Sequence, residues 1–182
     1  MIAARPARAV ARISPMKLHY LLLGALLVAA ASGDEWERVN APAAPFTLKD
    51  LEGRVLRSAD LAGKIVVVDF WATWCSPCIR ELPELAKYYA SVRDRKDVAF
   101  LSFSVTEDAE TVSKFVATRK VPYPVYLADD LVGPYEVSIF PTKLVFDMRG
   151  EPRLRFRNSG YTTIAELEAR VAELLASPKR AD

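Results

Sequence analysis

Ile65-Val66-Val67-Val68-Asp69-Phe70-Trp71, followed at once by Ala72-Thr73-Trp74-Cys75-Ser76-Pro77-Cys78, is the stretch that decides the fold. Its first seven residues are a continuous β-branched and aromatic run. That is the composition of a strand covered on both faces, so they are expected in the middle of a sheet. Beyond the cysteines, Leu82, Leu85, Ala86, Tyr89 and Val92 recur at helical spacing, which predicts an amphipathic helix over 76–93, kinked at Pro83. The cysteines therefore stand where a central strand hands over to a helix. A helix start directs unsatisfied N–H groups and partial positive charge at the first cysteine, which favours its thiolate. Cys75 is the expected nucleophile, and Cys78, one turn into the helix, the expected resolving thiol.

Working outward, residues 98–105 read as a second strand and 106–118 as a helix with Val112, Phe115 and Val116 on one face. Strand-helix-strand alternation implies right-handed parallel crossovers and an α/β fold. A short strand is expected at 125–127 and a longer one at 142–147. Arg149-Gly150-Glu151 forms a turn into a paired strand at 153–157, and Ile164, Leu167, Val171, Leu174 and Leu175 mark the face of a last helix. Upstream, 46–48 and 54–56 flank the turn Lys49–Gly53 as a short hairpin, and Ser58–Leu61 reads as one helical turn. The domain is expected over 46–176. Residues 32–45, Ala- and Pro-containing without a period, are read as a flexible lead-in, and 177–182 as a polar tail.

The first 31 residues have a different character. Arg5, Arg8, Arg12 and Lys17 supply all their charge, and Leu18 to Ala31 is nearly all apolar, ending on small residues suited to a peptidase. This is the pattern of an export signal, with Met16 a second candidate start. The apolar run is shorter than the ~20 residues that span a bilayer, so cleavage is favoured over a retained signal anchor; the Arg-rich, acid-free head of an organelle transit peptide over 1–15 is the second reading. Without this leader the formal charge falls from +2 to −2, because it carries four of the 25 basic residues and no acidic ones. The remaining domain has no Lys/Arg-dense tract, so nothing argues for nucleic acid. The only histidine, His19, leaves with the leader.

With those residues in view, the chain resembles the thioredoxin superfamily, and more closely its exported TlpA/ResA-like branch. Three segments carry the resemblance: Phe70 to Cys78, Ile139-Phe140-Pro141-Thr142, and the opening Ala44 to Gly53 with Leu61-Ala62-Gly63-Lys64. It covers about Ala44 to Leu175. It implies a three-layer fold with a central mixed sheet flanked by helices, an N-terminal β-hairpin, and an inserted strand-helix unit at 97–118. It also implies a redox-active Cys75–Cys78 disulfide in an extracytoplasmic, periplasm-type compartment. The activity implied is thiol-disulfide oxidoreduction, as a reductant recharged by an upstream thiol donor, on disulfide- or thiol-containing exported proteins. No cofactor is implied, and the only membrane contact is through a retained anchor.

By the same resemblance Pro141 is cis, leaving the backbone of Phe140 free to pair with a client strand beside Cys75. Read from the residues alone, Pro141 is equally a proline that opens a strand. Trp74, Ser76, Pro77, Phe140, Pro141 and Thr142 are the implied client-binding residues. Asp69 is a carboxylate inside an apolar strand, costly unless neutral, hydrogen-bonded or in use. It matches the buried acid of thioredoxins, a proton acceptor for the resolving thiol, although many exported relatives carry an amide there. Glu81 matches the acid of the Cys-x-x-Glu context of the exported branch. A solvated helix-surface glutamate is its other reading.

Competing functions fit less well. A structural disulfide closing so short a loop constrains little chain entropy. A closed zinc site needs four ligands, and the domain offers two cysteines and no histidine. A thioredoxin-fold peroxidase of the peroxiredoxin type places Pro-x-x-x-Thr-x-x ahead of its cysteine, whereas Val68 and Ala72 stand at those positions here. A redox-sensing module without enzymatic activity is the remaining alternative.

Overall fold

The structure, a computed structural model, describes residues 36–178. Its strands are β1 (Trp36–Pro42), β2 (Thr47–Lys49), β3 (Val55–Arg57), β4 (Ile65–Trp71), β5 (Val98–Ser104), β6 (Val125–Leu127), β7 (Thr142–Asp147) and β8 (Arg153–Ser159). The helices are α1 (Ser76–Val92), α2 (Ala109–Arg119), α3 (Asp129–Val132) and α4 (Ile164–Ala176), and Ser58–Leu61 is a 3-10 turn. Six strands make one sheet in the order β1-β8-β7-β4-β5-β6, and β2 pairs with β3 as a separate hairpin. β4, β5 and β6 are parallel, whereas β7 runs antiparallel to β4, β8 to β7 and β1 to β8. The sheet is therefore mixed, as expected.

All seven residues of β4 are buried, because both faces of the sheet are covered. On one face Ile65, Val67 and Trp71 pack with Leu85, Tyr88 and Val92 of α1, Val112 of α2, and Leu167, Val171 and Leu174 of α4. On the other, Val66, Val68 and Phe70 pack with Leu48 of the hairpin, Leu61, Leu131 of α3 and Tyr135. This second layer is thus mostly hairpin, turn and loop, with α3 its only helix among the described residues. The three longer helices all lie on the first face.

Several expectations change. From Trp36 onward, the reading of 32–45 as a flexible lead-in, with the domain opening near Phe46, is corrected by β1, which pairs along β8 and buries Trp36; residues 32–35 lie outside the described residues. The partner of β1 lies more than a hundred residues away, so no local period reveals it. Pro42 is tolerated because β1 is an edge strand. The strand-helix unit expected over 97–118 is present as β5 and α2, with β5 between β4 and β6 in the sheet. α2 begins three residues later than expected, at Ala109. Thr106 has φ 68°, and Asp108 caps the helix by accepting the Thr111 N–H at 2.8 Å. α1 is continuous through Pro83, which is exposed and forfeits only the bond to the Ile79 carbonyl. β8 extends two residues past its expected end. The signal-peptide reading of 1–31 and the tail beyond Pro178 lie outside the described residues.

One rung of the sheet positions the site. Trp36, Asn158, Lys143, Asp69 and Ser102 are register neighbours across β1, β8, β7, β4 and β5. They therefore share the face covered by α1 and α4.

Candidate functional site

Cys75 and Cys78 are joined as a disulfide with their Cα atoms 5.3 Å apart, and both are nearly inaccessible. Cys75 is the N-cap residue of α1, in extended conformation, and its sulfur accepts the Cys78 N–H at 3.3 Å. Sulfur thus replaces the oxygen of an ordinary cap and faces the positive end of a helix 17 residues long. Ser76 and Pro77 occupy the first helical turn, where a proline sacrifices no hydrogen bond.

The loop before Cys75 is held from the β5–α2 connection. Glu107 accepts the Thr73 N–H at 2.6 Å and the Thr73 hydroxyl, while the Thr106 N–H donates to Asp129 Oδ1 at 2.6 Å. The Trp74 indole donates to Thr106 Oγ1 at 3.3 Å, yet 62% of the residue is exposed. Its ring stands edge-on to Phe140, with centroids 5.9 Å apart. The Phe140–Pro141 peptide is cis, and Pro141 directly precedes β7. Ile139 is exposed, and Thr142, buried at the start of β7, donates its hydroxyl to the Ile139 carbonyl at 2.9 Å. Trp74, Ile139 and Phe140 together form an apolar rim beside the disulfide.

Behind Cys78, the same sheet face carries a buried charge cluster. Glu81, one turn further along α1, is 2% exposed, which removes its reading as a solvated helix carboxylate. Its Oε2 is ion-paired and hydrogen-bonded to Lys143 Nζ, and its Oε1 accepts the Thr162 N–H at 2.9 Å. Thr162 Oγ1 accepts the Trp36 indole N–H at 3.2 Å, which ties β1 to the cluster. Asp69, also 2% exposed, lies with Oδ1 3.3 Å from Lys143 Nζ. That oxygen makes an ion-pair contact but has no hydrogen bond. Burial pushes the Asp69 carboxyl above its ordinary 3.8, against the opposing pull of the Lys143 ammonium. Burial also pushes Glu81 up. Lys143 pulls it back, Asp69 pushes it up again, and the Thr162 N–H lowers it. The Tyr123 phenol, buried and without a hydrogen-bond partner, is raised above 10.0 by burial and then by both carboxylates.

Every residue expected at the site is therefore in or beside one region, from the Trp74 rim through the disulfide to the acids below it. Lys143, Thr162, Tyr123, Asn158 and Glu107 were missed. For Lys143 a signal existed, since a lysine inside Thr142-Lys143-Leu144-Val145-Phe146 is the same anomaly that singled out Asp69. Among the described residues no group of three or more His, Cys, Asp or Glu converges as a metal site. Among them, too, no helix is long and apolar enough to cross a membrane.

The mixed sheet, the cis proline and a Cys-x-x-Cys disulfide capping a helix define a thioredoxin-like domain. By sequence the chain belongs to the AhpC/TSA family, whose profile matches residues 39–151. The thiol-disulfide oxidoreductase ResA of Geobacillus thermodenitrificans is 35% identical over 115 residues, covering 62% of this chain and 66% of that protein. The match thus spans just under two thirds of that relative's length. A thioredoxin-family thiol:disulfide interchange protein from Chlorobium tepidum superposes with a TM-score of 0.67 at 26% identity, covering 77% of this chain and 99% of that one. A secreted disulfide oxidoreductase of Mycobacterium tuberculosis gives 0.58 at 26% identity, over 70% of this chain and 95% of its own.

Proposed function

We propose that this protein is a thiol-disulfide oxidoreductase acting as a reductant on exported, disulfide-containing proteins outside the cytoplasm. The observation that carries the reading is the Cys75–Cys78 disulfide at the N-terminus of α1, where the helix favours a thiolate on Cys75. In the reduced protein the Cys75 thiolate attacks a client disulfide, forms a mixed disulfide and expels one client sulfur as thiolate. Cys78 then loses its proton to a buried carboxylate and attacks the Cys75 sulfur. The Cys75–Cys78 bond forms and the second client sulfur leaves. Two electrons pass from the dithiol to the client, which takes up protons to become a dithiol. An upstream thiol donor returns the electrons.

In this reading the rim of Trp74, Ser76, Pro77, Phe140, Pro141 and Thr142 receives an extended client segment, whose backbone pairs with that of Phe140. Asp69 and Glu81 serve the resolving thiol. An extracytoplasmic site of action is supported by the leader's composition and by the secreted and interchange-type proteins this chain resembles. The test is a Cys78→Ser variant expressed with residues 1–31 intact. Disulfide-linked adducts are expected in the extracytoplasmic fraction, all through Cys75, with disulfide-containing proteins dominant. Their absence under both reducing and oxidising conditions would refute disulfide exchange. Adducts made mainly of newly exported reduced chains would reverse the direction. Peroxide consumption equal to the rate of insulin reduction would favour a peroxidase.

A further inference from the structure

Lys143 is a fully buried cation on the disulfide face of the sheet, and disulfide exchange as written above gives it no task. It opposes Asp69 directly in the antiparallel β4–β7 pair, and it follows cis Pro141 by two residues. Such opposed residues have Cβ atoms about 4.5–5.5 Å apart. Glu81 reaches it from α1, where it lies three residues after Cys78 and so on the same side of the helix. Two carboxylates from two elements thus converge on one ammonium, and one of them, Glu81, lies a single helical turn from the resolving thiol.

The two acids are held unequally. Both Glu81 oxygens are engaged, one by Lys143 and one by the Thr162 N–H, and Thr162 is itself fixed by Trp36 and Glu166. Asp69 has an oxygen with no hydrogen bond. A carboxylate that accepts several hydrogen bonds is stabilised in its charged form, and one that lacks them is the easier to protonate. The remaining neighbours from the elements around the cluster are the Tyr123 phenol, the Asn158 amide and the Ser102 hydroxyl, which carry no charge at neutral pH.

Building on the oxidoreductase reading, we propose that Lys143 is a positioning residue for disulfide exchange: its ammonium fixes Glu81 as a permanent counter-ion and leaves Asp69 as the one carboxylate that trades a proton with Cys78. When Cys78 resolves a mixed disulfide, its proton moves to Asp69 and its thiolate attacks the Cys75 sulfur. Asp69 then releases the proton to solvent as the client sulfur departs. Lys143 neutralises one of the two negative charges, so the cluster accepts this proton without first holding another.

The experiment titrates Cys78 by thiolate ultraviolet absorbance in full-length Cys75→Ser protein, where it is the only thiol. Adding Lys143→Met strips the positive charge and should raise the Cys78 midpoint by roughly one to two pH units. Adding Lys143→Met together with Glu81→Gln restores the charge balance and should bring the midpoint back to the parent value. No shift in the first variant, or the same shift in the second, would mean that Lys143 acts through packing and would overturn the proposal. Should Lys143→Met fail to fold, Glu81→Gln alone carries the test. It leaves Lys143 facing a single acid and should lower the midpoint, and an unchanged midpoint overturns the proposal.

The choice of Asp69 is tested in the same titration. Coupling between two sites spreads the parent curve into two steps. Asp69→Asn should leave one step and Glu81→Gln two, and the reverse would overturn the assignment. None of these readouts needs a client. A protein that shows the shifts but traps no adduct refutes the oxidoreductase reading, whereas one that traps adducts without the shifts refutes only the role of Lys143.

Discussion

Replacing Asp69 by Asn should stabilise the oxidised protein at neutral and alkaline pH while slowing its catalytic cycle. Asp69 is 2% exposed, and its closest charged partner, Lys143, already has Glu81. Removing the second carboxylate therefore leaves a balanced Lys143–Glu81 pair rather than an orphaned charge. Replacing a whole buried ion pair by neutral groups is often neutral or stabilising by about 1–4 kcal/mol, and the penalty for breaking one comes from the charge left unpaired, which Glu81 prevents here. For a domain of this size the lower part of that range, about 1–3 kcal/mol, moves the melting temperature by about 3–10 °C.

The pH dependence has a definite sign. Burial raises the folded-state pKa of Asp69 above its ordinary 3.8, so the folded protein holds this proton more tightly than the unfolded chain does. The corresponding stability is fully present below the unfolded value and is lost as pH rises through the folded one. Wild type and Asp69→Asn should therefore differ little near pH 3.5 and most above neutrality. Urea unfolding of the oxidised proteins, followed by tryptophan fluorescence across that range, measures this with no thiol titrating. A variant less stable than wild type at pH 8, or a gain equal at both ends of the range, would refute the reasoning. In the reduced protein, stopped-flow reaction with a disulfide peptide should show a slower second step and an unchanged first one.

Limited alkylation of the reduced protein at neutral pH should label Cys75 before Cys78, because only Cys75 caps α1. Peptide mass spectrometry reads this, and preferential labelling of Cys78 would exchange the two roles. Trp74→Ala should change stability by less than about 0.5 kcal/mol, since the side chain is largely exposed. The same change should slow reduction of insulin several-fold while leaving reduction of a small aliphatic disulfide nearly unaltered. Equal slowing of both substrates would show that Trp74 shapes the disulfide loop rather than the client surface.

The local parts of this protein were legible in its sequence because local chemistry dictates them. A run such as Ile65–Trp71 has no stable place except a doubly covered strand, and the period of Leu82, Leu85 and Tyr89 has none except a helix face. Cys75 and Cys78 at their junction follow from chain order alone. The anomaly of Asp69 was equally visible, because a carboxylate among valines has few tolerable explanations.

What the sequence left undecided depends on partners far apart in the chain. β1 carries only Trp36 and Val39 as larger apolar residues, and it becomes a strand because β8, over a hundred residues later, offers an edge. Glu81 reads locally as a surface glutamate. It is buried because α1 turns that position toward β7, where Lys143 and the Thr162 N–H meet it. Lys143 is anomalous in its own strand, but its partner is named only when the β4–β7 register sets it opposite Asp69. A single ion pair of this kind has no periodicity and no fixed spacing. Only the assembled sheet, with α1 packed across it, brings two acids and one ammonium to the same buried point on the disulfide face.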